Sequence, residues 1–129
     1  MRPDPLDPRL ALLVEDEALV AMIAEENLRS LGFDVIVAGA GAEALAAMDG
    51  GARLSVAIVD VGLPDMRGDA LAHRLRDAAP DLPIILASGY DSAELKQGFP
   101  GDARLKVLAK PYSESQLRQV LRELDLVPA

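Results

Sequence analysis

The chain has 129 residues, half of them hydrophobic, a length that buries a core of its own as a single domain. Its 13 basic and 21 acidic side chains leave a formal charge of −8 with no Lys/Arg-rich run, which argues against nucleic acid as a partner, because phosphate contacts demand the opposite sign. There is no cysteine, hence no disulfide or thiolate metal site, and with two Tyr, two Phe and no Trp the core must be built from Leu, Val, Ile, Ala and Met.

Residues 1–8, M-R-P-D-P-L-D-P, are Pro-rich and acidic and lack the apolar stretch of a signal peptide. They are expected to be a flexible leader ahead of one domain spanning 9–127. No apolar run approaches membrane-spanning length, so a cytoplasmic protein is expected. The first strand, Arg9 to Val14, runs into the acidic triplet Glu15-Asp16-Glu17. A helix over Ala18 to Leu31 carries an apolar stripe at Val20, Ile23, Leu28 and Leu31, with Gly32 placed as its stop. Asp34 to Ala38 reads as strand two and Ala42 to Met48 as an Ala-rich helix broken by Gly50-Gly51. Strand three, Val56 to Val59, is apolar on both faces, as a covered central strand of a parallel sheet is, and it delivers Asp60 to a Gly/Pro loop. A helix from about Asp69 to Ala79 follows, with Leu71, Leu75 and Ala78 on one side. His73 lies in it among charged residues and reads as a solvated side chain.

Pro83 to Ala87 is strand four, ending in Ser88-Gly89-Tyr90. A short helix over Asp91 to Gln97 is stopped by Gly98, Pro100 and Gly101. Strand five, Leu105 to Ala109, runs into Lys110-Pro111, and the last helix opens on S-E-S-Q, a capping box of Ser113 with Gln116. Five strands alternating with five helices imply an α/β doubly wound parallel sheet with right-handed crossovers. In such sheets ligands bind at the carboxyl ends of the strands. Three strand ends then meet: Glu15 and Asp16, Asp60, and Lys110. Crowded carboxylates repel one another and raise their own pKa values, a cost that a hard divalent cation removes. Mg²⁺ suits carboxylate, carbonyl and water ligands and leaves room for phosphate oxygens. With Lys110 as a compact ammonium and Ser88 as a hydroxyl, the set makes a phosphoryl-accepting site with a carboxylate nucleophile.

The acidic pair Glu15-Asp16, Asp60 in D-V-G-L-P-D-M-R-G, Ser88 after strand four and Lys110-Pro111 after strand five make the chain resemble the receiver domains of two-component response regulators over essentially its whole length. Each motif alone is ordinary turn or surface chemistry; all four in order at strand ends are specific. The resemblance implies a flavodoxin-like five-stranded sheet of order 2-1-3-4-5 with five helices. It implies phosphorylation of Asp60 by a sensor histidine kinase or a phosphotransfer protein, and signalling onward through a downstream protein partner. It assigns Mg²⁺ to Asp16, Asp60 and the Gly62 carbonyl, with Glu15 acting through water, and gives Ser88 and Lys110 the phosphoryl oxygens. It makes Lys110-Pro111 a cis bond.

Two positions depart from the family pattern. Three residues before the lysine, where an aromatic is common, stands Val107. Leu86 to Asp91, L-A-S-G-Y-D, is similar to the F-A-T-G-hydrophobic-Y pattern of a receiver subfamily that lacks that aromatic, with Leu86 for Phe and Ser88 for Thr. The expectation is a stand-alone, non-enzymatic receiver whose Ser88 to Gly101 segment orders on phosphorylation and whose contact surface lies from strand four to helix five, around Tyr90 and Asp91. Two other readings use the same residues. One is a receiver-like adaptor that works without phosphorylation. The other is a small aspartyl-phosphate phosphohydrolase, disfavoured because Gly62 stands where that chemistry wants a second Asp.

Overall fold

Five stretches rich in β-branched and small apolar residues pair side by side because both of their faces can be covered. The computed structural model describes residues 9–51, 53–89 and 92–127. The elements are β1 (Leu10–Val14), α1 (Ala18–Ser30), β2 (Asp34–Ala38), α2 (Gly41–Asp49), β3 (Val56–Asp60), α3 (Gly68–Ala78), β4 (Ile84–Ser88), α4 (Ser92–Gln97), β5 (Leu105–Ala109) and α5 (Glu114–Glu123). All strands are parallel in the order β2-β1-β3-β4-β5. Each lies within a residue or so of its expected limits. The expected leader, residues 1–8, lies outside the described residues, as do Tyr90 and Asp91. Among the described residues no helix is long and apolar enough to cross a membrane.

The two-residue period of the strands sends alternate side chains into two separate cores. Leu12, Val14, Ala57, Val59, Ile84, Leu86 and Leu105 pack toward α2, α3 and α4. Ala11, Leu13, Val56, Ile58, Ile85 and Leu108 pack toward α1 and α5. β3 is buried throughout, Asp60 included. Val107 packs, partly buried, against the first of these cores.

Two helix faces differ from expectation. α1 keeps only the later half of its expected stripe in the core, Leu28 buried and Leu31 packed partly buried against it. Ala21 and Ala24, rather than Val20 and Ile23, complete the buried face, and Leu19, Met22 and Ile23 are exposed at 69%, 58% and 53%. Small residues let the helix approach the sheet closely, so its larger apolar side chains are displaced outward. α3 buries Leu71, Ala72 and Leu75, while Ala78 is exposed. His73 is exposed as expected, but one face of its ring stacks on buried Phe99, with centroids 4.0 Å apart.

The helix ends follow local chemistry. Ser113 Oγ accepts from Gln116 N–H (3.1 Å) while Ser113 N–H donates to Gln116 Oε1 (2.8 Å), completing the capping box. At the end of α1, Gly32 N–H donates to the Arg29 carbonyl and Phe33 N–H to the Leu28 carbonyl, the paired bonds of a Schellman stop. At the end of the sheet where the strands begin, Arg76 ties α3 to the connection before β5. Its guanidinium makes two bonds to the Asp102 carboxylate (2.9 and 3.3 Å) and donates to the carbonyls of Ala79, Pro80 and Leu82. This clasp ties the floor of the sheet together, at the end opposite the rim where the strands stop.

Candidate functional site

The strand register brings the site residues together. Val14 pairs with Val59 and Asp60 with Ala87, so Glu15, one residue beyond β1, stands level with Asp60. Ser88 pairs with Ala109, and Lys110 N–H donates to the Ser88 carbonyl at 2.9 Å. By strand alternation Glu15 follows the face of Leu13, Asp60 that of Ile58 and Lys110 that of Leu108, all toward α1 and α5. Glu15, Asp60 and Ser88 are the buried polar or charged residues among those described, at 6%, 7% and 2% exposure. Buried polarity in an otherwise apolar domain is costly unless it is partnered, and here it converges on one rim.

Lys110 partners it. Its ammonium donates to Glu15 Oε1 at 2.9 Å and lies 3.3 Å from Asp60 Oδ1. Glu15 Oε2 also accepts the Glu17 N–H at 3.1 Å, and Asp60 Oδ1 accepts the Gly62 N–H at 3.3 Å. Burial pushes the Glu15 carboxyl above the usual carboxylate range, further than the Lys110 bond draws it down. Burial works against the charge of Lys110, but its bond to Glu15 and the fields of Glu15 and Asp60 outweigh that and hold the ammonium's pKa up.

Carboxylate oxygens of Glu15, Asp16 and Asp60 lie within 4.8 Å of one another, Asp16 exposed and the other two buried. This donor set fits Mg²⁺, which takes hard oxygen ligands and retains water. Gly62 follows in the same loop, with nothing within 4 Å of where a Cβ would stand. The Lys110–Pro111 bond is cis, as the resemblance implies.

The loop that carries Asp60 is closed at its neck. The first residue of α3, Gly68, donates its N–H to the Val61 carbonyl at 2.8 Å, and Gly62 bridges Arg67. A Cβ on Gly68 would lie 2.1 Å from the Asp60 carbonyl oxygen.

Tyr112, next to Pro111, has its hydroxyl pKa pushed up to about 12 by burial and by the negative charge of Glu15. A group whose folded pKa exceeds its unfolded value of 10.0 contributes stability that is complete below pH 10 and is lost as pH rises through the folded value. Lys110 contributes with the same sign in its own alkaline range. The thermal midpoint should therefore fall between pH 10 and 12, and Tyr112→Phe should remove about 2 kcal/mol of that dependence. Identical pH profiles of the two proteins would show that the phenol does not titrate this way.

Sequence reasoning missed two features of this rim. One is the exposed apolar face of α1, which borders a groove of about 400 Å³ lined by Glu17, Val20, Ile23, Ala24, Lys110 and Tyr112 among others. The other is Asp65, whose two oxygens accept the N–H groups of Gly41 and Ala42 at 2.8 and 3.0 Å, holding its carboxyl below the usual range. The only sequence signal for it is a helix start, A-G-A-G-A, without a capping side chain of its own.

Comparison with known proteins is consistent across sequence and structure. The family model described as "Response regulator receiver domain" matches residues 11–122. The chain is 38% identical over 114 residues to the sensor kinase CckA of Brucella abortus, covering 88% of this chain and 12% of that protein. It is 30% identical over 116 residues to the sensor protein TorS of Escherichia coli, covering 90% of this chain and 13% of that one. The chain thus spans about an eighth of the length of these two relatives. Among solved structures, a response regulator receiver protein from Sinorhizobium medicae superposes with a TM-score of 0.83 at 28% identity, covering 92% of this chain and 95% of that one.

Proposed function

The chain belongs to the response regulator receiver domain family, and from that premise we propose that residues 9–127 form a Mg²⁺-dependent phosphoacceptor unit that takes its phosphoryl group on Asp60. The observation that carries this reading is the Lys110 ammonium, held between Glu15 and Asp60 beside a cluster of three carboxylates. Glu15, Asp16, Asp60 and the Gly62 carbonyl would hold Mg²⁺, which supplies charge neutralisation for the phosphoryl oxygens. An Asp60 carboxylate oxygen attacks phosphorus, the O–P bond forms as the donor's N–P bond breaks, and the imidazole leaves with the bonding pair. Lys110 stabilises charge on the transferred oxygens, and Ser88 is assigned the same task from the β4 end. Catalysis is positioning and electrostatics, with no turnover of a substrate by the chain itself.

The donor is a histidine-bearing sensor kinase or phosphotransfer protein, and its docking face is the exposed side of α1. Leu19, Met22 and Ile23 offer apolar area that a monomer gains nothing by exposing. Lys110 lines both the groove beside them and the acceptor site, so a helix seated in the groove brings its histidine toward Asp60. Ile23→Ser should slow transfer from a phosphohistidine protein about tenfold or more while leaving phosphorylation by acetyl phosphate unchanged. Equal loss with both donors would place Ile23 in folding rather than docking.

The test of the whole reading is an amide-resolved NMR titration with MgCl₂ and then beryllofluoride, a phosphoryl mimic. Saturable shifts centred on Asp16, Asp60, Ser88 and Lys110 are expected. An inert wild type would instead favour an adaptor that signals by binding alone.

A further inference from the structure

α2 begins without a cap of its own: its N-cap residue is Ala40, in extended conformation with no side-chain acceptor. The acceptor comes from 24 residues away, where Asp65 takes the N–H of Gly41 on one oxygen and that of Ala42 on the other. Met66 lies so close over Gly41 that a Cβ there would stand 2.6 Å from its sulfur. Leu63 and Met66 both pack against the core on the α2 side. The loop after Asp60 therefore has two anchors. Its neck is closed just beyond Asp60 by the bond from the Gly68 N–H to the Val61 carbonyl and by the Gly62–Arg67 bridge. Its tip is held to α2. Gly62 stands at the neck, exposed, with its N–H on Asp60 Oδ1 at 3.3 Å, and the segment from Leu63 to Met66 joins it to the tip that Asp65 holds.

We propose that Asp65 is a positioning residue for the metal side of the acceptor site: its two bonds to the first turn of α2 hold the loop that presents Gly62 in place. This rests on the phosphoacceptor reading above. Coupling of this kind is reciprocal, so occupancy of the site also steadies the start of α2. The route runs to the β2 side of the sheet, away from Val107 and the β4–β5 side.

The competing explanation is that Asp65 merely caps a helix, and a second-site cap separates the two. Asp65→Ala should lower Mg²⁺ affinity about tenfold, the usual size of an outer-shell effect on a metal site. Ala40→Ser restores an acceptor at the extended N-cap position. In the Ala40→Ser/Asp65→Ala protein the thermal midpoint should recover while Mg²⁺ affinity stays about tenfold down. Asp65→Asn, nearly isosteric but with a single acceptor oxygen, should fall between wild type and Asp65→Ala. In wild type, exchange of the Gly41 and Ala42 amides should slow on addition of Mg²⁺ and beryllofluoride. If the double variant regains wild-type Mg²⁺ affinity, or if Asp65→Ala and Asp65→Asn never lose it, Asp65 is only a cap and the proposal is overturned. Failure of wild type itself to bind Mg²⁺ would refute the phosphoacceptor reading, a separate result.

Discussion

Asp60→Asn should take up no phosphoryl group from acetyl phosphate or from a phosphohistidine protein, and it should melt within about 5 °C of wild type. An amide is not a nucleophile, yet it fills the same space at a site only 7% exposed, and its oxygen can still accept the Gly62 N–H. The electrostatic changes oppose one another. Asp60 is repelled by two carboxylates within 4.8 Å and attracted by one ammonium at 3.3 Å. At an effective dielectric near 20 each such interaction is of order 3 to 5 kcal/mol, and exposed Asp16 counts for less than buried Glu15. The amide gives up all of them, so they largely cancel, while Lys110 keeps Glu15. Intact-protein mass spectrometry after exposure to donor, with a melt beside it, decides the matter. Phosphate retained on the variant would move the acceptor elsewhere, and loss of the cooperative melt would make the carboxylate structural.

The second large effect concerns a residue with no chemistry at all. Gly68→Ala is expected to cost about 3 kcal/mol or more and to abolish beryllofluoride binding in whatever fraction remains folded. The added Cβ would meet the Asp60 carbonyl oxygen at 2.1 Å, and the Asp60 carbonyl carbon and Val61 Cα at 2.7 Å. All three are backbone at the end of the central strand, which is buried on both faces and cannot retreat. α3 must move instead, breaking the bond from Gly68 N–H to Val61. Gly41→Ala meets only the flexible Met66 side chain and should cost less, and Gly62→Ala meets nothing. Denaturant melts of the three should rank in that order; a Gly68→Ala protein as stable as Gly62→Ala would show that the neck is not tight.

The parts of this architecture that were legible in the sequence are those set by local or periodic chemistry. β3 announced itself by being apolar on both faces, and the Ser113–Gln116 box by a spacing of three. The rim cluster followed once Glu15, Asp60 and Lys110 were each put at a strand end, because parallel strands start and stop together. α1 was misread because the pattern separates apolar from polar and not core from partner face. Ala21 and Ala24 bury little area, while Leu19, Met22 and Ile23 carry more hydrophobicity and face out. Bonds between distant positions left no local trace: Asp65 to α2 spans 24 positions and Arg76 to Asp102 spans 26. The bare start of α2 signals that some acceptor is needed, without naming it.

The Glu15–Lys110 ion pair closes a loop of 95 positions, and this gives the site a role as a test of completeness. β1, β3, β4 and β5 each supply a part, so during synthesis no competent acceptor exists until nearly the last strand has emerged and paired. β5 is an edge strand whose only partner in the sheet is β4, and local opening costs least where fewest contacts hold an element. Fraying at that edge would withdraw Lys110 from Glu15 and Asp60, and on the phosphoacceptor reading the site would lose its ammonium while β1 and β3 still held their carboxylates.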